Sequence, residues 1–93
     1  MLSSKQQQLI KDKVLPLNPS LLGVFGSYAR SEENQNSDID ILVDFKSKIN
    51  LLELIGLEQD LSELLGVKVD LVTLNSVSPL LKPYIEQNLI HLI

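Results

Sequence analysis

Val24-Phe25-Gly26-Ser27-Tyr28-Ala29-Arg30-Ser31-Glu32, followed by Ser37-Asp38-Ile39-Asp40-Ile41-Leu42-Val43-Asp44, is the stretch whose reading decides the fold. It reads as a strand ending in Gly-Ser, a short helical turn, a polar loop and a second strand that carries Asp-x-Asp. Side chains alternate across a strand, so Asp38 and Asp40 point to one face while Ile39, Ile41 and Val43 point to the other. At about 4 Å and an effective dielectric of about 20, two such carboxylates repel by roughly 4 kcal/mol. A divalent cation reverses the sign of that interaction, and rigidly held carboxylate oxygens suit Mg²⁺, which also takes phosphate oxygens and water. Gly26 lets backbone approach a ligand closely. The Ser27 hydroxyl and the N–H groups opening the turn can hold a phosphate. Metal on one side and phosphate on the other is the chemistry this stretch suggests.

Working outward, Leu21-Leu22-Gly23-Val24-Phe25 is a short, continuous apolar run, expected as a central strand buried on both faces. Ser3 or Ser4 with Gln three residues later forms a capping box for a short N-terminal helix through Val14, ended by Pro16 and Asn18-Pro19. Asn50 with Glu53 marks a second helix start. That helix carries Leu51, Leu54, Leu57, Leu61, Leu64 and Leu65 as one broad apolar stripe, and Gly66 closes it. Val67–Thr73 is expected as a third strand, parallel to the second because a helix joins them. Asp70 alternates with Val69 and Leu71 and so can share the face of Asp38 and Asp40. Ser78-Pro79 reads as the start of a last helix, with a kink or restart at Pro83. Leu80, Leu81, Tyr84, Ile85, Leu89 and Ile90 give that helix an apolar face wider than one flank of a small sheet needs. The expected fold class is α/β (α+β): a small mixed sheet flanked by helices, with an open carboxylate face.

Composition bounds the rest. Ninety-three residues suit one domain spanning 1–93 with a modest core. The apolar content of 44% argues against disorder. With no cysteine there is no disulfide framework and no thiolate metal site. No apolar run reaches the ~20 residues of a membrane span, and the first residues carry no signal-peptide pattern, so a cytoplasmic protein is expected. A net charge of −4 with few aromatics argues against direct nucleic-acid binding, without excluding a nucleotide held through metal.

Gly26-Ser27, ten residues, then Asp38-x-Asp40 resembles the signature of the DNA polymerase beta-like nucleotidyltransferase superfamily. The Gly-Ser-Tyr-Ala-Arg wording and the small size resemble its minimal nucleotidyltransferase (MNT) branch, and the likeness runs from about Leu21 to Tyr84. The resemblance implies a nucleotidyltransferase fold whose first two strands are antiparallel. It implies Asp38, Asp40 and Asp70 as metal ligands and catalytic acids, with Asp70 assisting the attacking hydroxyl. It implies Gly26 and Ser27 at the phosphates; Arg30 either balances triphosphate charge or faces solvent. Ser37 either caps the loop or touches phosphate. Two Mg²⁺ ions would bridge the carboxylates to ATP. The same branch resembles the antitoxin half of HEPN/MNT toxin–antitoxin pairs, which implies transfer of AMP onto a tyrosine of a HEPN-domain toxin partner. Two alternatives stand beside it: a binding module that only masks its partner, and an enzyme acting on small molecules. The acceptor surface is expected from a partner or from a second copy in a homo-oligomer, because one helix after residue 73 leaves no room for it.

One departure from the family wording is Ser31, where relatives carry a glycine that ends the turn in a left-handed conformation; Asn34 or Asn36 is expected to take over that role. Asp44, Lys46 and Lys48 read as surface residues, His91 as packing or solvent-facing, and Tyr28 and Tyr84 as packing residues.

Overall fold

The computed structural model describes residues 2–93 of the chain. The apolar periodicities above become four helices and four strands: α1 (Ser4–Val14), β1 (Pro19–Phe25), α2 (Gly26–Ala29), β2 (Ile39–Phe45), α3 (Leu51–Leu65), β3 (Val69–Thr73), α4 (Lys82–Gln87) and β4 (Ile90–His91). The strands form one mixed sheet in the order β3-β2-β1-β4. β1 and β2 are antiparallel, β2 and β3 are parallel, and β4 adds antiparallel to β1.

Local signals set the element ends. Ser3 accepts the Gln6 N–H while Gln6 accepts the Ser3 N–H, so the capping box is complete. Asn50 accepts the Glu53 N–H at 2.8 Å, and Gly66 ends α3 at φ +66°. Ile39, Ile41 and Val43 are fully buried and meet Leu22 and Val24 of β1, Val69 and Leu71 of β3, Ile10 and Val14 of α1, and Leu57 and Leu61 of α3. The core therefore lies on one sheet face, under α1 and α3.

The opposite face is polar at one end and apolar at the other. Asp40 and Asp70 occupy the polar end. One dyad further along, Leu42 is fully buried, and Gly23 sits beside it in register. A Cβ on Gly23 would meet Leu89 Cδ1 at 2.6 Å, so this glycine makes room for the C-terminal segment to lie across the sheet.

Four expectations are corrected. After Thr73 the restart expected at Pro83 is present, with α4 beginning at Lys82, but Ser78-Pro79 opens a turn and not a helix, and Ile90 and His91 leave the helix to pair with β1 as a fourth strand. Two strand residues are too short a signal for periodicity to reveal. The stripe on α3 is narrower than the leucine pattern suggests: Leu57 and Leu61 are buried, Leu54 and Leu65 partly so, and Leu51 and Leu64 are exposed. Tyr28 packs against the core, but Tyr84 is 69% exposed, alongside Leu80 and Leu81. Ser31 itself adopts the left-handed conformation at φ +56°, and neither Asn34 nor Asn36 replaces it. Those asparagines instead fold the following loop, where Asn34 Oδ1 accepts the Asn36 N–H at 2.8 Å.

Candidate active site

β1 ends at Phe25, and the chain turns at Gly26 with φ +74°. Only glycine adopts that conformation without strain. It is also the only residue that fits the space, because a Cβ there would overlap the Asp40 carboxylate, with Asp40 Cγ only 3.2 Å away. The Gly-Ser turn is thus laid directly over the second acid of Asp-x-Asp. The turn closes on itself: the Gly26 carbonyl accepts the Arg30 N–H at 3.2 Å and the Ser27 carbonyl accepts the Glu32 N–H at 2.8 Å.

Asp38 stands one residue before β2 and Asp40 within it. Asp70 lies opposite Asp40, Cα to Cα, in the parallel β2–β3 register. Asp40 and Asp70 therefore sit on neighbouring strands, at one end of one face, with Asp38 just before the first of these strands and the serine turn above Asp40. Burial raises the Asp40 carboxyl above the ordinary carboxylate range. The negative charges of Asp70 and then Asp38 raise it further, and Arg30 pulls it back only in part. All three charged neighbours are close enough to be felt.

Asp38 Oδ2 lies 3.8 Å from Lys68 Nζ, and Arg30 Nε lies 3.1 Å from Glu32 Oε2. Ser37 is a loop staple: its hydroxyl oxygen accepts the Asn34 N–H at 2.9 Å, which leaves the hydroxyl proton able to donate elsewhere. Among the described residues, no three Asp, Glu or His side chains already form a metal-ligand group, so the trio is gathered on one face without being closed into a cage. The donor set nevertheless fits a hard dication. It is all carboxylate oxygen, two of its acids are held on neighbouring strands and the third one residue before the first of them, and their mutual repulsion is what a cation relieves.

A nucleotidyltransferase-domain family model matches residues 4–92. The chain belongs to the nucleotidyltransferase family. A Methanocaldococcus jannaschii protein provisionally named a protein adenylyltransferase is 47% identical over 89 residues, covering 95% of this chain and 88% of that one. A crystal structure of a toxin–antitoxin with AMP-PNP aligns with a TM-score of 0.82 at 29% identity, over 99% of this chain and 73% of its own. A structure of the tri-AMPylated Shewanella oneidensis HEPN toxin in complex with MNT antitoxin aligns at 0.68 and 30% identity, over 94% and 71%. This nucleotidyltransferase stands in the minimal branch that the Gly-Ser-Tyr-Ala-Arg wording and the small size suggest, and it is an enzyme by class.

Around the acids of this nucleotidyltransferase lie groups that motif reading did not single out. Lys68 faces Asp38, and Glu32 holds Arg30. Glu58 and Ser62 of α3 bond to β3 on either side of Asp70. In the sequence, Glu58 and Ser62 look like any polar face of an amphipathic helix; only their spacing of four residues, one helical turn, hints that they act together. No described helix is long and apolar enough to cross a membrane.

Proposed function

We propose that this nucleotidyltransferase transfers AMP from ATP to a tyrosine hydroxyl of a HEPN-type toxin, acting as its antitoxin in the cytoplasm. One observation carries the reading: Gly26 is packed over Asp40, and Asp70 stands in register beside it. The alignment with structures described as bound to AMP-PNP, or as an AMPylated toxin with its antitoxin, supports the choice of nucleotide and partner.

Asp38, Asp40 and Asp70 would hold Mg²⁺, which supplies charge neutralisation at the triphosphate and acidifies the acceptor hydroxyl. The Ser27 hydroxyl and the turn backbone orient the β and γ phosphates, with Ser37 as a further donor. Arg30, held by Glu32 and near enough for its charge to act on Asp40, offsets triphosphate charge. The acceptor oxygen attacks the α-phosphorus in line. The new O–P bond forms as the bond to the bridging oxygen of pyrophosphate breaks, and the hydroxyl proton passes to Asp70. Positioning and electrostatics account for most of the rate.

The test is incubation of the protein with its neighbour-encoded partner, Mg²⁺ and ATP labelled on the α-phosphate. The expected result is label on the partner, lost in Asp38→Ala and Asp40→Ala variants whose thermal unfolding remains cooperative. Inhibition of the partner without label would replace this reading with simple masking. Label on added small hydroxyl compounds, and none on the partner, would replace it with small-molecule transfer.

A further inference from the structure

β3 is an edge strand, with β2 as its only strand neighbour among the described residues. An edge strand presents unpaired backbone groups outward and is free to fray or slip unless something covers it. Here α3 covers it. Ser62 Oγ accepts the Val69 N–H at 2.9 Å and donates to the Glu58 carbonyl at 2.9 Å. Glu58 Oε2 accepts the Leu71 N–H at 2.8 Å. These two amides flank Asp70 on either side. The spacing matches: four residues of helix rise about 6 Å, and two residues of strand rise about 6.6 Å. One helical turn thus addresses the two outward N–H groups of one strand dyad, while the side chain of Asp70 points across the face to Asp40.

The load on this arrangement is electrostatic. Asp70 faces Asp40 in register, with Asp38 nearby, so like charges push an edge strand away from its neighbour. A slip of one residue would turn Asp70 into the core.

We propose that Glu58 and Ser62 are positioning residues that lock β3 and so hold Asp70 opposite Asp40 in the geometry that transfer requires. This rests on the reading of Asp70 as the third acid of the site. Glu58 touches neither nucleotide nor acceptor; it acts through the strand. Its carboxylate gives a charge-assisted acceptor, stronger than a neutral one. Glutamine keeps an acceptor oxygen in the same place and alanine does not.

The experiment combines amide hydrogen exchange on the free protein with steady-state transfer to the partner, for wild type, Glu58→Gln, Glu58→Ala, Ser62→Ala, Asp70→Asn and the double variant Glu58→Ala/Asp70→Asn. In Glu58→Ala the Leu71 amide is expected to lose protection while the Leu42 amide of β2, which faces β1 and not β3, keeps its own; Ser62→Ala should expose Val69 in the same way. Glu58→Gln is expected to retain most of both protection and kcat. Misplacement of a reacting group by about 1 Å costs up to a hundredfold, so Glu58→Ala should lose tenfold or more in kcat, with KM for ATP changed less. In the Asp70→Asn background the Glu58→Ala change should add little further loss, because the group it positions is gone. Wild-type kcat in Glu58→Ala, or a full additional loss in the double variant, would overturn the proposal. If Asp70→Asn alone keeps wild-type activity, it is the assignment of the third acid that fails, while the exchange data still report on the clamp.

Discussion

Replacing Gly26 by alanine separates the two reasons for glycine at that position. The first is backbone: at φ +74° an L-residue costs roughly 1–2 kcal/mol. The second is space: the new Cβ would overlap the Asp40 carboxylate, and overpacking of this kind costs typically about 1–3 kcal/mol. Gly66 supplies the control. Its φ of +66° carries the same backbone cost, but nothing lies within 4 Å of an added Cβ. Gly66→Ala should therefore lose only about 1–2 kcal/mol, and Gly26→Ala about 2–5 kcal/mol. A domain of 93 residues has a stability of about 5–14 kcal/mol, so most outcomes still fold. At about 4–8 °C per kcal/mol the difference between the two variants is easily read by thermal unfolding. Pairing each with Asp40→Ala closes the cycle: the Gly26→Ala cost should fall to that of Gly66→Ala, while the Gly66→Ala cost stays unchanged. Activity should fall in Gly26→Ala well beyond its loss of stability, because relieving the overlap moves the Asp40 carboxylate, a member of the proposed site. If the two glycine variants cost the same, and Asp40→Ala leaves the difference at zero, the turn is not packed over Asp40 and the argument for the cradle is wrong.

Three further outcomes follow from the same geometry. Burial and the charges of Asp70 and Asp38 raise the folded-state titration of Asp40 above its unfolded value, so the fold prefers that group protonated. The associated stability is present at low pH and is lost as pH rises through the raised folded value. Asp40→Asn should remove this pH-dependent loss and raise neutral-pH stability by about 0.2–1 kcal/mol, the range for solvent-screened charge pairs, while abolishing transfer; a lower melting temperature than wild type at neutral pH would contradict it. Ser31→Gly relieves a left-handed residue at φ +56° and should stabilise by about 0.5–1 kcal/mol after the extra unfolded-chain freedom of glycine is subtracted. Denaturant midpoints showing no gain would mean the turn does not hold Ser31 there. Gly56→Ala, in the interior of α3 with open space around it, should also gain about 0.5–1 kcal/mol and leave transfer at the wild-type rate.

The most legible parts of this chain were those where local chemistry and tertiary need agree. Asn50 and Gly66 bracket α3 at the residues that cap it, and the alternation through Ile39, Ile41 and Val43 announces both a strand and its buried face. The register that sets Asp70 beside Asp40 was readable only as a consequence, from one helix joining two strands. What the sequence concealed depends on contacts across the fold. Leu51 and Leu64 have the helical spacing of core residues, but α1 and the sheet cover only the middle of that stripe. Ile90 and His91 are strand because β1 offers them an edge, which no two-residue pattern can signal. Glu58 and Ser62 look like solvated polar residues until β3 is seen beside them. Ser31 takes the turn itself because the loop after it is already committed to the Asn34–Ser37 staple.

The most direct measurement is diffraction from crystals of the protein soaked with Mn²⁺ and a nonhydrolysable ATP analogue, with anomalous scattering used to place the metal. Metal peaks are expected between Asp38, Asp40 and Asp70, bridged to phosphates that lie against Ser27. Triphosphate and metal bound away from these carboxylates, with the Gly26 turn untouched, would contradict the proposed site.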